Sequence, residues 1–253
     1  MTAPAGTERQ DAPGRTDPRT YRDAAREDGL VPALTLLTRA LEPGAVPRGP
    51  GGHAVLPREV VEEAGVPAES AGAGADRPYG AGRSLAGALG LAVLDPPADR
   101  EPYASPNPDG TAAQPPCAGT GTGTDWTTGL AWLRLGSSEA LRDLCLKWLA
   151  ERESEGSSLL MKQMVKGALA EVLIEQLEIA AVLESGPSAP VVERLQEQIT
   201  GADRGLLRLL GAYGFTGDGP GRDAYASELL ADVYRGAGDR GCAGPDAAEE
   251  GAG

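Results

Sequence analysis

The sequence predicts a mainly α protein whose C-terminal half closes into an antiparallel four-helix bundle. Apolar residues recur every three to four positions in four separate segments after residue 124. Short joints rich in Gly, Pro and Ser separate those segments. The same half is richer in Leu, Ile, Val and Met and carries all three Trp, whereas the half before it is dominated by Ala, Gly, Pro and charge. Three regions follow: a low-complexity, partly disordered stretch with short helices over 1–124, the bundle over 125–236, and an acidic, Gly-rich disordered tail over 237–253.

In the first region, 1–19 is polar and Pro-rich. Residues 21–41 place Val31, Leu34, Leu37 and Leu41 at helical spacing, and Pro32 either starts a second helix or kinks a single one. Glu59 to Ala64 reads as a short helix started by Pro57. Residues 84–93 read as helix or buried strand, and 95–124 as a linker.

The first bundle helix carries Leu141, Leu144, Cys145, Trp148 and Leu149 on one face. A break at Glu155-Gly-Ser-Ser158 leads to a helix over 159–184, with a stripe of Val165, Leu169, Val172, Leu173, Leu177 and Ala180. Residues 185–190 are a stop and turn. The third helix has a heptad-like seam of Val192, Leu195, Ile199, Ala202, Leu206 and Leu209. The fourth, over 223–234, buries Tyr225, Leu229, Leu230 and Val233.

Charge and composition exclude several functions. A net charge of −14 repels phosphate backbones, so nucleic acid is not an expected partner. No apolar stretch reaches membrane-spanning length, and no basic-then-apolar leader opens the chain. Cys117, Cys145 and Cys242 are scattered and odd in number, which fits a reduced, cytoplasmic setting with no metal site. His53 is the only histidine and lies in a Gly-rich loop without a nucleophile motif. Gly119-Thr-Gly-Thr-Gly-Thr124 lacks the Lys and spacing of a phosphate loop. Glu171, Glu175 and Glu178 share one helical face and read as a solvated acidic surface.

Motif order adds a resemblance. Arg152 and Gly156, then Leu159, Gln163 and Leu169-Ala-Glu171, are followed by Gly211-Ala-Tyr-Gly-Phe-Thr216, Pro220, Tyr225 and Tyr234-Arg-Gly236. In order and spacing the array resembles the C-terminal helical domain of the acyl-CoA dehydrogenases, with N-terminal and β-domains degenerate or missing. The resemblance implies FAD, contacted by Arg152, Gln163, Gly211, Ala212 and Gly214, and oxidation of an acyl-CoA or acyl-carrier-protein thioester. It also implies a homo-oligomer, or a hetero-oligomer with a fuller dehydrogenase subunit. Arg offers a planar donor fork to a diphosphate, and Gly lets backbone approach a cofactor.

The chain departs from the family at the base. Where the family often keeps its catalytic Glu stands Arg235, whose guanidinium stays protonated and abstracts nothing. Some members place the base at the start of the first bundle helix, which makes Asp125 a weak substitute candidate; it reads more readily as a helix N-cap. Arg208 and Ala226-Ser227 replace further polar family residues. The alternative expectation is therefore a catalytically inactive helical interaction or scaffold protein.

Overall fold

The computed structural model describes residues 16–41, 45–65, 85–96, 122–216 and 219–236, without the side chains of 122–125. The expected tail, the extreme N-terminus and most of the expected linker lie outside the described residues. The fold is mainly α. Two N-terminal helices, α1 (Arg19–Glu27) and α2 (Leu30–Arg39), precede β1 (Ala54–Pro57) and the short α3 (Arg58–Glu63). A helical turn at 85–88 leads into β2 (Leu91–Leu94). Then come α4 (Thr122–Ala150), a two-residue-strand hairpin β3–β4 (Glu153–Ser154, Ser157–Ser158), α5 (Gln163–Glu184), α6 (Ala189–Leu210) and α7 (Gly221–Tyr234).

The region 21–41 becomes two helices because Gly29, at φ 101°, caps α2. Pro32 falls in the first turn of α2, where its missing N–H has no helical partner to lose. Residues 84–93 supply both expected elements, a turn of helix and then β2. Strands β1 and β2 pair antiparallel, Ala54 opposite Leu94 and Pro57 opposite Leu91.

Helix α4 is the axis of the molecule. From Trp126 to Leu141 nearly every side chain is buried, on every face of the helix. Such a helix needs neighbours all round. Helix α5 packs antiparallel to it, with Ile179, Ala180 and Leu183 meeting Ala131, Trp132 and Leu135, while Leu169 and Val172 meet Leu141, Cys145 and Leu149. Helix α6 runs parallel to α4, with Val192, Leu195 and Ile199 at one end and Ala202, Leu206 and Leu210 at the other. Helix α7 returns antiparallel, bringing Ala226, Leu230 and Tyr234 back toward Trp126 and Leu130. Helices α4 to α7 thus form the expected four-helix bundle.

Helices α1 and α2 cover the remaining side of α4. Two glycines one heptad apart let them approach: a Cβ on Gly129 would lie 2.5 Å from Leu37 Cδ1, and one on Gly136 would lie 2.0 Å from the Arg22 carbonyl oxygen. The Tyr234 hydroxyl ties β1 to α7, accepting from Val55 N at 3.1 Å and reaching the Val55 carbonyl at 3.1 Å.

Two apolar faces differ from expectation. On α5, Leu173 and Leu177 are exposed, and the buried stripe instead runs Leu169, Val172, Gln176, Ile179, Leu183. Gln176 is buried because Ser138 and Arg142 of α4 satisfy its amide. On α7, Tyr225 is exposed, Leu229 and Val233 are half-buried, and small residues Ala224, Ala226, Ser227 and Ala231 form the contact face. Small residues suit a helix seated closely on α6 and α4.

Gly136→Ala should push α1 off α4, since the obstructing atom is backbone and cannot swing aside. Overpacking of this kind costs about 1–3 kcal/mol. Denaturant unfolding of the variant should show that loss, whereas an unchanged midpoint would mean that α1 is not seated on Gly136.

Candidate functional site

Two of the motif segments meet at one end of the bundle. Trp148, in the last turn of α4, stacks on Tyr213 with ring centroids 3.8 Å apart and 14° between planes. The Arg152 guanidinium lies 3.9 Å over the same Trp148 ring. Arg152, Trp148 and Tyr213 therefore form a three-layer stack that joins the α4 C-terminus to the turn after α6. Among the described residues the Arg152 side chain makes no hydrogen bond or ion pair, and the residue is exposed. A stacked guanidinium keeps its N–H edge available for an anion.

The hairpin after Arg152 turns on Glu155 (φ 55°) and Gly156 (φ 76°), the two left-handed residues of a tight two-residue turn. It delivers Gln163 to the first position of α5, where it is exposed. Gly211 ends α6 at φ 60°, and a Cβ there would meet nothing, while Ala212 is exposed beside it. Gly214 is buried, and its Cβ would lie 2.9 Å from the Leu207 carbonyl oxygen. Its role in this fold is to seat the turn Gly211–Phe215 on α6. Arg208 is exposed.

The family's base position lies elsewhere. Arg235 follows the last residue of α7 and pairs with Glu197 at 3.1 Å and Asp232 at 3.6 Å. Beside it, Thr127, Leu130, Val192, Gln196 and Tyr234 enclose only about 20 Å³, room for a water molecule and not for an acyl thioester. Asp125 is the fourth residue of α4, which starts at Thr122, so it is not the N-cap of that helix, and its side chain is outside the described ones.

Sequence reasoning missed a buried polar chain through the bundle. Arg134, in the middle of α4, is fully buried. Its Nε donates to Ser227 Oγ (2.9 Å), Nη1 to the Gln196 carbonyl (3.0 Å) and side-chain oxygen (2.5 Å), and Nη2 to Thr200 Oγ1 (2.8 Å). Burial pulls its pKa down to about 10, opposed by the charges of Asp203, Glu228 and Asp232. One turn on, buried Glu139 takes a two-pronged bond from Arg22 of α1, at 2.9 and 2.5 Å. Arg26 of α1 bonds Asp143 at 2.6 Å, and Arg142 donates to Gln176, which donates to Ser138.

This chain of side chains ends at Asp203 of α6, 4% exposed. Burial pushes its carboxyl up to about 6, against a hydrogen bond from Ser138 and the charge of Arg134. One carboxylate oxygen, Oδ1, is buried without a hydrogen-bond partner among the described residues. Asp203 lines a cavity of about 450 Å³ between α6, α7 and the Gly211–Phe215 turn, with Phe215, Arg222, Tyr225 and Glu228 among the other walls. Two sequence signals pointed here: Arg134 interrupts the apolar run Ala131-Trp-Leu-Arg-Leu135, and Asp203 sits beside the α6 seam between Ala202 and Leu206.

Other features carry no chemistry. The Cys145 thiol is buried and pushed up to about 11 by burial, so it is not a nucleophile. Cys117 and Cys242 lie outside the described residues. His53 Nδ1 lies 3.7 Å from Asp95 at the edge of β1. Glu171, Glu175 and Glu178 are solvated as expected. Among the described residues no cluster of His, Cys, Asp and Glu could hold a metal, and no helix is long and apolar enough to cross a membrane.

Comparison with known proteins gives a likeness to solved structures alone. No family model matches the chain, and no curated protein matches it. Among solved structures, a Mycobacterium smegmatis protein designated an acyl-CoA dehydrogenase is similar over 44% of this chain, at 16% identity and a TM-score of 0.34. The chain spans about a third of that structure's length (32%). A likeness at that TM-score carries no argument about site or activity.

The raised carboxyl of Asp203 makes stability depend on pH with a definite sign. Below pH about 4 the group is protonated folded and unfolded. As pH rises through about 6 the folded state must hold a buried anion, and stability falls, by on the order of 2–3 kcal/mol for a shift of this size. Asp203→Asn should remove that loss. Denaturant titrations of both proteins at pH 4.5 and 7.5 should show the variant gaining on the wild type at the higher pH. A constant difference would mean that Asp203 titrates normally.

Proposed function

We propose that the chain is an acyl-CoA dehydrogenase-like helical subunit that binds but does not itself abstract the substrate proton. FAD-linked oxidation of an acyl thioester, on coenzyme A or a carrier protein, would then require a fuller partner subunit. The observation that carries this reading is the Arg152–Trp148–Tyr213 stack. It brings the Arg-x-x-x-Gly segment and the Gly-Ala-Tyr-Gly-Phe-Thr turn of the motif array together around a guanidinium with no hydrogen bond or ion pair among the described residues.

The residues at this end suit the anionic diphosphate end of FAD. Arg152 supplies charge and a donor edge; Gln163 supplies an exposed amide; Gly211 and Ala212 leave open backbone. Gly214 would act beneath them, by holding the turn. FAD, when bound, supplies the hydride acceptor of the reaction. The residues at the base position do not suit proton abstraction. Arg235 is a cation held by two carboxylates, and the space beside it admits only water. Asp125 is the remaining candidate base in this chain.

A partner surface is supported separately. Met164, Leu173, Ile174 and Leu177 of α5 are 87%, 41%, 55% and 58% exposed, an unusual apolar load for the outer face of a bundle helix. A homo- or hetero-oligomer built through α5 would cover it. The same face would serve the runner-up reading, an inactive interaction or scaffold protein in which the cofactor end has no ligand.

Two measurements test the proposal. Titration of FAD, and of ADP as its diphosphate-bearing fragment, should show salt-sensitive binding. Arg152→Ala should weaken it about 10- to 100-fold, the range for losing a charge-assisted bond. Binding unmoved by that change would remove the cofactor reading and leave the scaffold. The chain alone should not desaturate an acyl-CoA with an artificial electron acceptor and added FAD. Desaturation abolished by Asp125→Asn would overturn the non-oxidising assignment.

A further inference from the structure

We propose that the cavity between α6, α7 and the Gly211–Phe215 turn binds a small neutral aromatic compound of one or two fused rings, held by the side chains of Phe215 and Tyr225. The site uses neither Arg152 nor any step of acyl thioester oxidation, so it stands independently of the cofactor reading.

Size comes first. A volume of about 450 Å³ lies within the range of roughly 300–1,000 Å³ typical of small-molecule sites. Its largest wall groups are two aromatic rings. Phe215, the only Phe in the chain, is 70% exposed, and Tyr225 is 41% exposed. One stands on the turn after α6 and the other on α7, and both line the cavity with Leu207 and Ala224. Neither ring is in contact with another ring among the described residues. Two large rings on one cavity, neither covered by the other, leave apolar surface in water that a flat ligand would bury. Tyr225 belongs to the motif array, yet it stands here on the cavity wall and not in the bundle core.

The polar walls exclude charge and offer little else. The charged residues of the lining are Arg204, Arg222, Asp203 and Glu228, two of each sign. Arg204 pairs with Glu228, and Arg222 has a partner within the protein. Asp203 is buried, with the guanidinium of Arg134 in its field. The hydroxyls are also engaged: Thr200 Oγ1 accepts from Arg134 and donates to the Gln196 carbonyl, and Thr216 Oγ1 donates to the Tyr213 carbonyl. A charged ligand would lose its hydration here and find no uncompensated opposite charge to replace it. A neutral apolar one loses almost nothing on entry.

The slot is built before a ligand arrives. A Cβ on Gly221 would lie 2.1 Å from the Gly214 carbonyl oxygen, so the turn that carries Phe215 sits directly on the first residue of α7, the helix that carries Tyr225. Backbone contact of that kind fixes the two ring-bearing elements relative to one another and lowers the ordering cost of binding.

The test uses 2-naphthol, with 2-naphthoate and 2-naphthylmethylammonium as anionic and cationic probes of matched shape, read by calorimetry on the purified full chain at pH 7. Saturable binding of the naphthol is expected, with about tenfold or weaker binding of both ions. Phe215→Ala and Tyr225→Ala, both at exposed side chains, should each cost about 2- to 10-fold in affinity. Arg152→Ala and Ile174→Ser should leave naphthol binding unchanged, which separates this site from the Arg152 stack and from the apolar face of α5. No saturable binding of the naphthol, equal binding of either ion, or unchanged affinity in either ring variant would each overturn the proposal. So would loss of binding in Arg152→Ala or Ile174→Ser, since the probe would then be seated elsewhere.

Discussion

Four side-chain bonds made by Arg134 hold the structure's two kinds of packing together. Helix α4 is buried on all sides, so a cation at its midpoint has no route to water. Removing a guanidinium from water is expensive, and only complete bonding makes it tolerable. Gln196 and Thr200 of α6 and Ser227 of α7 provide that bonding. The guanidinium thereby fixes the register of three helices at one level, something that interchangeable aliphatic contacts do poorly. One turn further on, Glu139 does the same for α1 through Arg22.

The polar chain also accounts for where the cavity lies. Asp203 is drawn inward by Ser138 and by the field of Arg134, yet Arg134 spends its donors elsewhere. The carboxylate ends the chain with one oxygen unfinished, against a gap left where the small residues Ala224 and Gly221 face the turn after α6. The Arg152 stack shares the Gly211–Phe215 turn with that cavity through Tyr213 and presents an exposed cation. The two sites thus hold an exposed cation, Arg152, and a buried carboxylate, Asp203.

The bundle was legible in the sequence because its signals are local. Of the six α6 seam residues from Val192 to Leu209, five are buried and Leu209 is half-buried. The breaks at Gly156 and Gly186 are left-handed glycines, as their positions between helices suggest. The misread faces of α5 and α7 share a cause. Hydrophobicity marks the face that can be buried, but Gln176 and Ser227 are buried because distant partners satisfy them, and small residues win where helices approach closely. Such partners lie 38 and 93 positions away in the chain and leave no periodic trace. Of the candidate site, motif spacing points to Arg152 and the Gly211 turn, whereas the Trp148–Tyr213 stack joins residues 65 positions apart and leaves no local trace in the sequence.

Native-state hydrogen exchange on Arg134→Gln tests the central claim most directly. The variant keeps an amide in the place of the guanidinium but cannot reach all three partners. If Arg134 ties α6 and α7 to α4, amide protection should fall together along the facing turns of both helices, around Gln196–Thr200 and Ser227. Protection in α1 and α2, held by Glu139 and the glycine contacts, should fall less. Unchanged protection in α7, or an even loss across every helix, would mean that apolar packing alone sets the arrangement and that the buried guanidinium is incidental to it.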